Sequence, residues 1–201
     1  MPYSTFNFSE EQVLMRDSVL GLMNRVLPPE KIAELDREQR FPHDAYRALA
    51  KDGWLTLPYD KAHGGMDASH RDLAVFIEAL GYHHPGIRVS FMSTAVYGGL
   101  YLQNLGDASL KAELLAGMQD GSIRTAIAFS EPDSGSDAAG IRTRAVRDGD
   151  EWIISGQKVY VTNAHEADYL IVSTKTDPDA GRRGLSLFMV DTAQPGFEAR
   201  P

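Results

Sequence analysis

The chain has 201 residues, and its 28 acidic and 20 basic side chains give a formal net charge of −8. It contains no cysteine, which excludes disulfides, thiolate catalysis and cysteine-ligated metal centres. The acidic balance argues against a nucleic-acid partner, and no apolar run approaches the roughly 18 residues that cross a bilayer. Because Met1–Phe6 also lacks the basic and apolar regions of a signal peptide, we expect a cytoplasmic protein without a membrane span.

Residues 1–121 have the periodicity of helices. A capping box at Ser9–Gln12 predicts the start of the first helix, and Pro28-Pro29 ends it while allowing a second helix to begin. Further helices are predicted over Glu30–Gln39, His43–Lys51, Ser69–His83, Gly86–Leu105 and Ser109–Met118, with a loop over Leu55–Met66. The histidine pair His83-His84 stands beside a proline at a helix end, and we interpret it as a capping or surface feature rather than a metal site.

After Gly121 the pattern changes to that of strands. The predicted strands are the nearly all-apolar run Thr125–Phe129, the alternating polar and small run Arg142–Arg147, and the β-branched or aromatic runs Trp152–Ile154, Lys158–Val161, Tyr169–Thr174 and Leu185–Val190. Asp148–Asp150 predicts a hairpin turn. Helices precede strands without alternation. We therefore predict an α+β protein with an all-helical N-terminal domain, residues 1–121, and a β domain, residues 122–201.

The most unusual segment is Phe129–Asp137, which follows an apolar strand and combines three carboxylates with a glycine and small hydroxyl residues. One interpretation is a polar turn that only satisfies turn geometry. The other is an anion or cofactor cradle, in which Ser134, Ser136 and the Gly135 backbone offer hydroxyl and N–H groups to a phosphate. The common nucleotide-binding glycine motifs are absent from the sequence, so any phosphate binding would need a different kind of cradle.

A second marked segment is Gly156–Ala164. On a strand, Lys158, Tyr160 and Thr162 would share one face. The tyrosine ring could then stack on a flat cofactor while the threonine hydroxyl donates to it. The alternative interpretation is an ordinary strand with an exposed tyrosine.

Taken together, the two segments resemble a known family. Ala126–Thr143 is similar to the signature of the acyl-CoA dehydrogenases, and Gly156–Ala164 to the second flavin segment of that family. Upstream elements in the family's order are Gly53–Leu55, His63–Gly65, Glu78–Gly81 and Leu105–Gly121. The resemblance covers nearly the whole chain. It implies an N-terminal helical domain followed by a β-barrel-like middle domain that is incomplete at its C-terminus.

The resemblance also implies FAD as cofactor, with roles assigned by motif position. Ser130 would hydrogen-bond the pyrimidine end of the flavin, Ser136 would hold the pyrophosphate, and Thr162 would donate to the flavin nitrogen that receives hydride. Tyr160 would pack against the flavin face. The full implied set of cofactor-binding residues is Ile127, Phe129, Ser130, Gly135, Ser136, Tyr160, Val161 and Thr162.

The implied substrate is an acyl-CoA thioester, which the family dehydrogenates between its α and β carbons. Ser136 would lie close to it, and Tyr97 and Tyr101 would narrow the acyl pocket. In the family, the carboxylate base lies in a C-terminal helical domain beyond the point where this chain stops, so no catalytic residue is assigned, and no metal ligand either. Glu131 is interpreted as shaping its loop rather than as the base.

Partners and alternatives follow from the same resemblance. An electron-transfer flavoprotein is the expected electron acceptor, and we expect a homo-oligomer or a complementing chain. Because the base is missing, a second hypothesis is a non-catalytic truncated paralogue that binds a partner or a ligand. A third keeps the fold but changes the chemistry to that of an acyl-CoA oxidase or a flavin monooxygenase.

Overall fold

The computed structural model describes residues 8–200, and Met1–Phe6, for which the sequence predicts no signal peptide, lies outside this range. The described chain is α+β, which confirms the predicted fold class. It divides into two compact units, a helical unit ending at Ser122 and a β unit beginning at Ile123. Along residues 8–200, no helix combines the length and the apolar character that a membrane crossing requires.

Seven α-helices make up most of the helical unit as described: α1 Glu10–Val26, α2 Pro29–Arg37, α3 His43–Lys51, α4 His70–His83, α5 Pro85–Phe91, α6 Leu100–Leu105 and α7 Ala108–Asp120. The capping box at Ser9 is confirmed, and a second one at Ser69 starts α4. The side-chain amide of Gln12 donates through Nε2 to the Asp72 carboxylate at 2.7 Å, and this bond links the N-termini of α1 and α4. His84 caps α5 by accepting from an amide N–H, which confirms the interpretation of the histidine pair.

The prediction of one regular helix over Gly86–Leu105 differs from the structure at its start and in its middle segment. Helix α5 begins one residue earlier, and the segment Met92–Gly99 between α5 and α6 is a π-helix. Within this π segment, a Cβ at Gly99 would lie only 2.0 Å from the hydroxyl oxygen of the fully buried Tyr59. The contact requires a glycine. A 3.6-residue apolar period reveals neither this wider turn nor the contact between Gly99 and Tyr59, which lie 40 positions apart in the sequence.

The β unit contains strands β1 Thr125–Ala128, β2 Arg144–Asp148, β3 Glu151–Ser155, β4 Tyr169–Lys175 and β5 Leu185–Asp191. Strand β4 is central, since it pairs in parallel with β1 and antiparallel with β5. Strands β2 and β3 form the predicted hairpin, whose turn uses Gly149 at a φ of 61°. The hairpin joins the rest of the sheet where Arg144 stands opposite Lys175.

Candidate functional site

Two loops of the β unit carry the motif residues. The first loop, Phe129–Asp137, follows β1, and the second loop, Gln157–Asn163, follows β3. They are adjacent, because the Val159 N–H donates to the Ser130 carbonyl at 2.9 Å. The first loop turns tightly, with reciprocal backbone hydrogen bonds between Glu131 and Ser134.

The first loop is organised around the carboxylate of Glu131, whose side chain is only 5% exposed. Its Oε1 accepts from Lys158 Nζ at 2.8 Å, from the Thr143 amide at 3.0 Å and from the Thr143 hydroxyl at 2.6 Å. Its Oε2 accepts from the Arg142 amide. These contacts join the first loop to the second loop and to the residues that lead into β2.

The pKa of Glu131 reflects this environment. Burial by itself raises the pKa, but the hydrogen bonds from Lys158, Thr143 and the Arg142 amide outweigh it and lower the pKa to about 2. A general base works best when its pKa lies near the operating pH, so this carboxylate is poorly suited to abstract a substrate proton. The interpretation of Glu131 as the residue that shapes its loop agrees with these contacts.

The predicted strand over Lys158–Val161 is wrong, and Lys158, Tyr160 and Thr162 do not form one strand face. The second loop contains no strand, and Tyr160 and Asn163 adopt positive φ angles of 57° and 63°. Lys158 extends into the interior instead. The physical reason is electrostatic: the ammonium pairs with the buried Glu131 carboxylate, a long-range contact that the local strand pattern does not contain.

The other motif side chains are directed differently. Tyr160 is 94% exposed and Phe129 is 39% exposed, while Ser136 and Thr162 are exposed and Ser130 is half-buried. No hydrogen bond joins the side chains of these three hydroxyl residues to the rest of residues 8–200. The buried ion pair of Glu131 and Lys158 therefore joins the two loops. Within the described residues, the loops expose an aromatic ring and carry three hydroxyls without hydrogen-bond partners.

The remaining predicted site residues fall into three settings. Gly135 is exposed, and a Cβ there would meet nothing within 4 Å, so its backbone is open to approach. Ile127 and Val161 are half-buried, and Val161 packs against the apolar cluster that contains Ala126 and Ala128. The hydroxyl of Ser134, by contrast, is buried and donates to the Asp137 carbonyl at 2.5 Å. It holds the turn rather than offering a free donor for a phosphate.

Tyr97 and Tyr101 belong to the helical unit, on the π segment and on α6. Their ring centroids lie 6.4 Å apart with the planes tilted by 50°. The two rings are therefore neighbours on consecutive helical turns.

Sequence reasoning missed two residues of the network. Thr143 donates twice to Glu131, and Ser173 on β4 lies 3.0 Å from Lys158 Nζ. Ser173 directly follows the apolar residues Leu170–Val172 of β4, and nothing local in the sequence marks it as a partner of Lys158. A cleft of about 190 Å³ adjoins the network and is lined by Glu131, Pro132, Asp133, Arg142, Thr143, Gly156 and Gln157. Within the described residues, no group of three or more histidine, aspartate or glutamate side chains could hold a metal ion.

Two family models match the chain. The N-terminal domain of acyl-CoA dehydrogenase matches residues 9–122, and the middle domain of acyl-CoA dehydrogenase matches residues 126–201. The chain therefore belongs to the acyl-CoA dehydrogenase family, and the resemblance inferred from the two motif segments is confirmed.

Among curated relatives, the chain is similar to acyl-CoA dehydrogenase FadE29 of Mycobacterium tuberculosis, with 31% identity over 97% of this chain and 50% of the relative. It is also similar to the cyclohex-1-ene-1-carbonyl-CoA dehydrogenase of Geobacter metallireducens, with 35% identity over 95% of this chain and 50% of the relative. The chain thus spans about half the length of the curated relatives it matches.

Solved structures agree with this relationship. The acyl-CoA dehydrogenase from Geobacillus kaustophilus matches with 30% identity and a TM-score of 0.83, over 94% of this chain and 50% of that chain. The FAD complex of PigA matches with 28% identity and a TM-score of 0.85, over 98% and 51%. The ChsE4–ChsE5 complex from Mycobacterium tuberculosis matches with 28% identity and a TM-score of 0.83, over 96% and 49%.

Proposed function

We propose that this chain supplies the flavin-contacting part of an FAD-dependent acyl-CoA dehydrogenase, an oxidoreductase acting on an acyl-CoA thioester. One observation carries the proposal. The first and second loops are fixed against each other by buried polar contacts, while the Tyr160 ring is exposed and the hydroxyls of Ser130, Ser136 and Thr162 have no hydrogen-bond partner within the described chain. Family membership and the FAD bound by PigA support it.

The residues present suit FAD. An isoalloxazine ring needs a flat apolar surface and hydrogen-bond donors at its polar edge, and a pyrophosphate needs hydroxyl and N–H donors. The exposed Tyr160 ring is such a surface, and the hydroxyls of Ser130, Ser136 and Thr162 are such donors. Gly135 leaves its backbone N–H open to an approaching phosphate.

Each residue has a proposed role in this arrangement. Bound FAD supplies the acceptor for the hydride removed from the β carbon of the substrate. Ser130 and Thr162 orient the ring through their hydroxyls, and Ser136 holds the pyrophosphate and lies close to the substrate. Tyr160 covers the ring face and excludes water from it, while Ile127, Phe129 and Val161 complete the contact surface. In the helical unit, Tyr97 and Tyr101 are proposed to narrow the acyl pocket.

No residue of this chain is proposed as the base. Glu131 is the buried carboxylate of the first loop, and its hydrogen bonds keep it ionised. We propose that the base comes from polypeptide other than these 201 residues, since the relatives are about twice as long. A complementing chain is a candidate source, because ChsE4 and ChsE5 form a complex and this chain matches 49% of the matched chain of that complex. An electron-transfer flavoprotein is the proposed electron acceptor.

The test is flavin content and reduction. The protein, purified with any chain that co-purifies, should contain FAD identified by mass spectrometry, and its visible flavin absorption should bleach anaerobically with an acyl-CoA. The variants S136A and T162V should weaken FAD binding, whereas the matched variant T176V, which removes a hydroxyl outside both loops, should not. Purified complex that is colourless and contains no FAD would contradict the proposal.

An aerobic assay, together with the anaerobic bleaching, separates the alternative functions. Oxygen consumption during turnover would indicate an acyl-CoA oxidase or a flavin monooxygenase. Retained FAD without bleaching by any acyl-CoA would favour a non-catalytic paralogue that binds a ligand or a partner.

A further inference from the structure

The ammonium of Lys158 occupies a site where every donor is used. Its side chain is 8% exposed, and Nζ lies 2.8 Å from Glu131 Oε1, 3.1 Å from the Phe129 carbonyl and 3.0 Å from Ser173 Oγ. A lysine ammonium has three donors, and here each has its own acceptor. Two acceptors belong to the first loop and the third belongs to β4. A single side chain of the second loop therefore binds both the first loop and the central strand.

Apart from this ammonium, the second loop makes apolar contacts through Val161, which packs against the cluster that contains Ala126 and Ala128. Among the described residues, its backbone makes one hydrogen bond to the first loop, from Val159 to Ser130. The Tyr160 ring is almost fully exposed and cannot anchor it, and the φ of Tyr160 lies in the left-handed region that a bulky residue rarely adopts. Such backbone conformations persist where surrounding contacts over-determine them. The ammonium of Lys158, two residues earlier, contributes three such contacts.

The Glu131 carboxylate would keep most of its partners without Lys158. Thr143 and the Arg142 amide donate to it through three further hydrogen bonds. Loss of the ammonium therefore removes polar contacts of the second loop, while the first loop stays attached to the residues that lead into β2.

From this geometry we infer that Lys158 is a positioning residue of the flavin site: it sets where Tyr160 and Thr162 stand relative to Ser130 and Ser136. The inference rests on the proposed function, in which both loops bind FAD. Lys158 itself acts through the loop that it holds.

The test compares K158M, which keeps the length of the side chain but removes the ammonium, with T176V, which removes a hydroxyl whose bonds to Ser186 and the Gly184 carbonyl lie outside both loops. Hydrogen exchange of individual amides and the Kd for FAD are measured where both variants are folded. In K158M we expect the Val159 amide to exchange at least about tenfold faster, while the Arg142 and Thr143 amides stay protected. We expect the Kd for FAD to rise by about tenfold or more. T176V should change neither quantity by more than about twofold.

Two exchange results would overturn the inference: unchanged Val159 exchange in K158M, or equal loss of protection at Val159, Arg142 and Thr143, which is the mark of general destabilisation. A Kd for FAD in K158M equal to that of T176V would also overturn it. If the wild-type protein binds no FAD, the proposed function fails and the role in the flavin site fails with it. The exchange pattern still decides, separately, whether Lys158 fixes the second loop.

Discussion

The interior of the helical unit and the interior of the β unit are stabilised by different interactions. In the helical unit the fully buried side chains are large and mostly apolar, among them Tyr46, Phe76 and Phe91, and each such ring contributes about 1.5–3 kcal/mol through burial. The apolar cluster of the β unit consists of smaller side chains: Ala126, Ala128, Ala167, Leu170 and Val172. Its motif loops depend instead on the buried pair of Glu131 and Lys158.

The difference matters for function. Apolar burial is non-directional, so it stabilises a unit without fixing the course of a loop. A buried ion pair with all its partners satisfied is directional, and removal of one partner leaves a buried charge unpaired. The segments proposed to bind the cofactor are those that use the directional interaction.

The largest effect is expected from E131Q. The amide would place a donor against donors from Arg142, Thr143 and Lys158 and would leave the lysine buried without its counter-ion. The free energy of unfolding of the β unit should fall by about 3 kcal/mol, as measured by chemical denaturation. The control is E198Q, because Glu198 pairs only with an exposed arginine and its loss should cost less than about 1 kcal/mol.

The pH dependence sharpens this test. The pKa of Glu131 in the folded chain is about 2, below its ordinary value of 4.5, so its ionised form contributes stability above pH 4.5. That contribution is lost as the pH falls through the folded pKa. The stability difference between wild type and E131Q should therefore narrow as the pH is lowered from 4.5 towards 2. A difference that stays constant with pH would contradict an electrostatic role.

An intermediate effect is expected in the helical unit from G99A. The added Cβ would lie 2.0 Å from the hydroxyl oxygen of Tyr59 and 2.2 Å from its Cε1, in a fully buried setting. Overpacking of this kind should cost about 1–3 kcal/mol in thermal or chemical unfolding. The matched variant G21A, on α1 with no atom closer than 3.6 Å, should be neutral or stabilising. Equal losses in the two variants would show that the contact with Tyr59 is not the cause.

A smaller effect of opposite sign is expected from Y59F. The Tyr59 hydroxyl is buried and has no hydrogen-bond partner among residues 8–200, and burial raises the pKa of this phenol well above its usual range. Removing an unsatisfied buried hydroxyl should raise the free energy of unfolding by about 1 kcal/mol. A loss of stability in Y59F would mean that the hydroxyl has a partner and would assign it a structural role in the π segment.

The smallest effect concerns His84. Its Nδ1 accepts from the Ile87 amide, which requires the unprotonated form, and burial lowers its pKa against a weaker opposing effect of Asp36. The unfolded chain therefore takes up a proton first as the pH falls below 6.5, and the stability from the cap is lost as the pH falls further through the folded pKa. H84N keeps a cap acceptor that does not titrate. Between about pH 8 and pH 5, wild type should lose more thermal stability than H84N.

Local signals predicted much of the fold. The capping box at Ser9, the helix His43–Lys51 and the hairpin turn at Gly149 are as predicted, because each depends on residues a few positions apart. The two motif segments also identified the family correctly. For the candidate site, the sequence predicted which residue types are present. It did not predict that Ser134 holds the turn while Ser136 stays exposed, because only the folded loop decides which hydroxyl finds a partner.

The sequence by itself thus determined most helices, most strands, the absence of cysteine chemistry and the family. Only the tertiary structure decided that Lys158 extends inward, that Tyr160 takes a left-handed conformation and that Met92–Gly99 forms a π turn. The physical reason is the same in each case. Lys158 meets Glu131 across 27 positions, and Gly99 meets Tyr59 across 40, so these segments make directional or close-packed contacts with residues distant in the sequence. A periodic pattern along the chain does not encode such contacts.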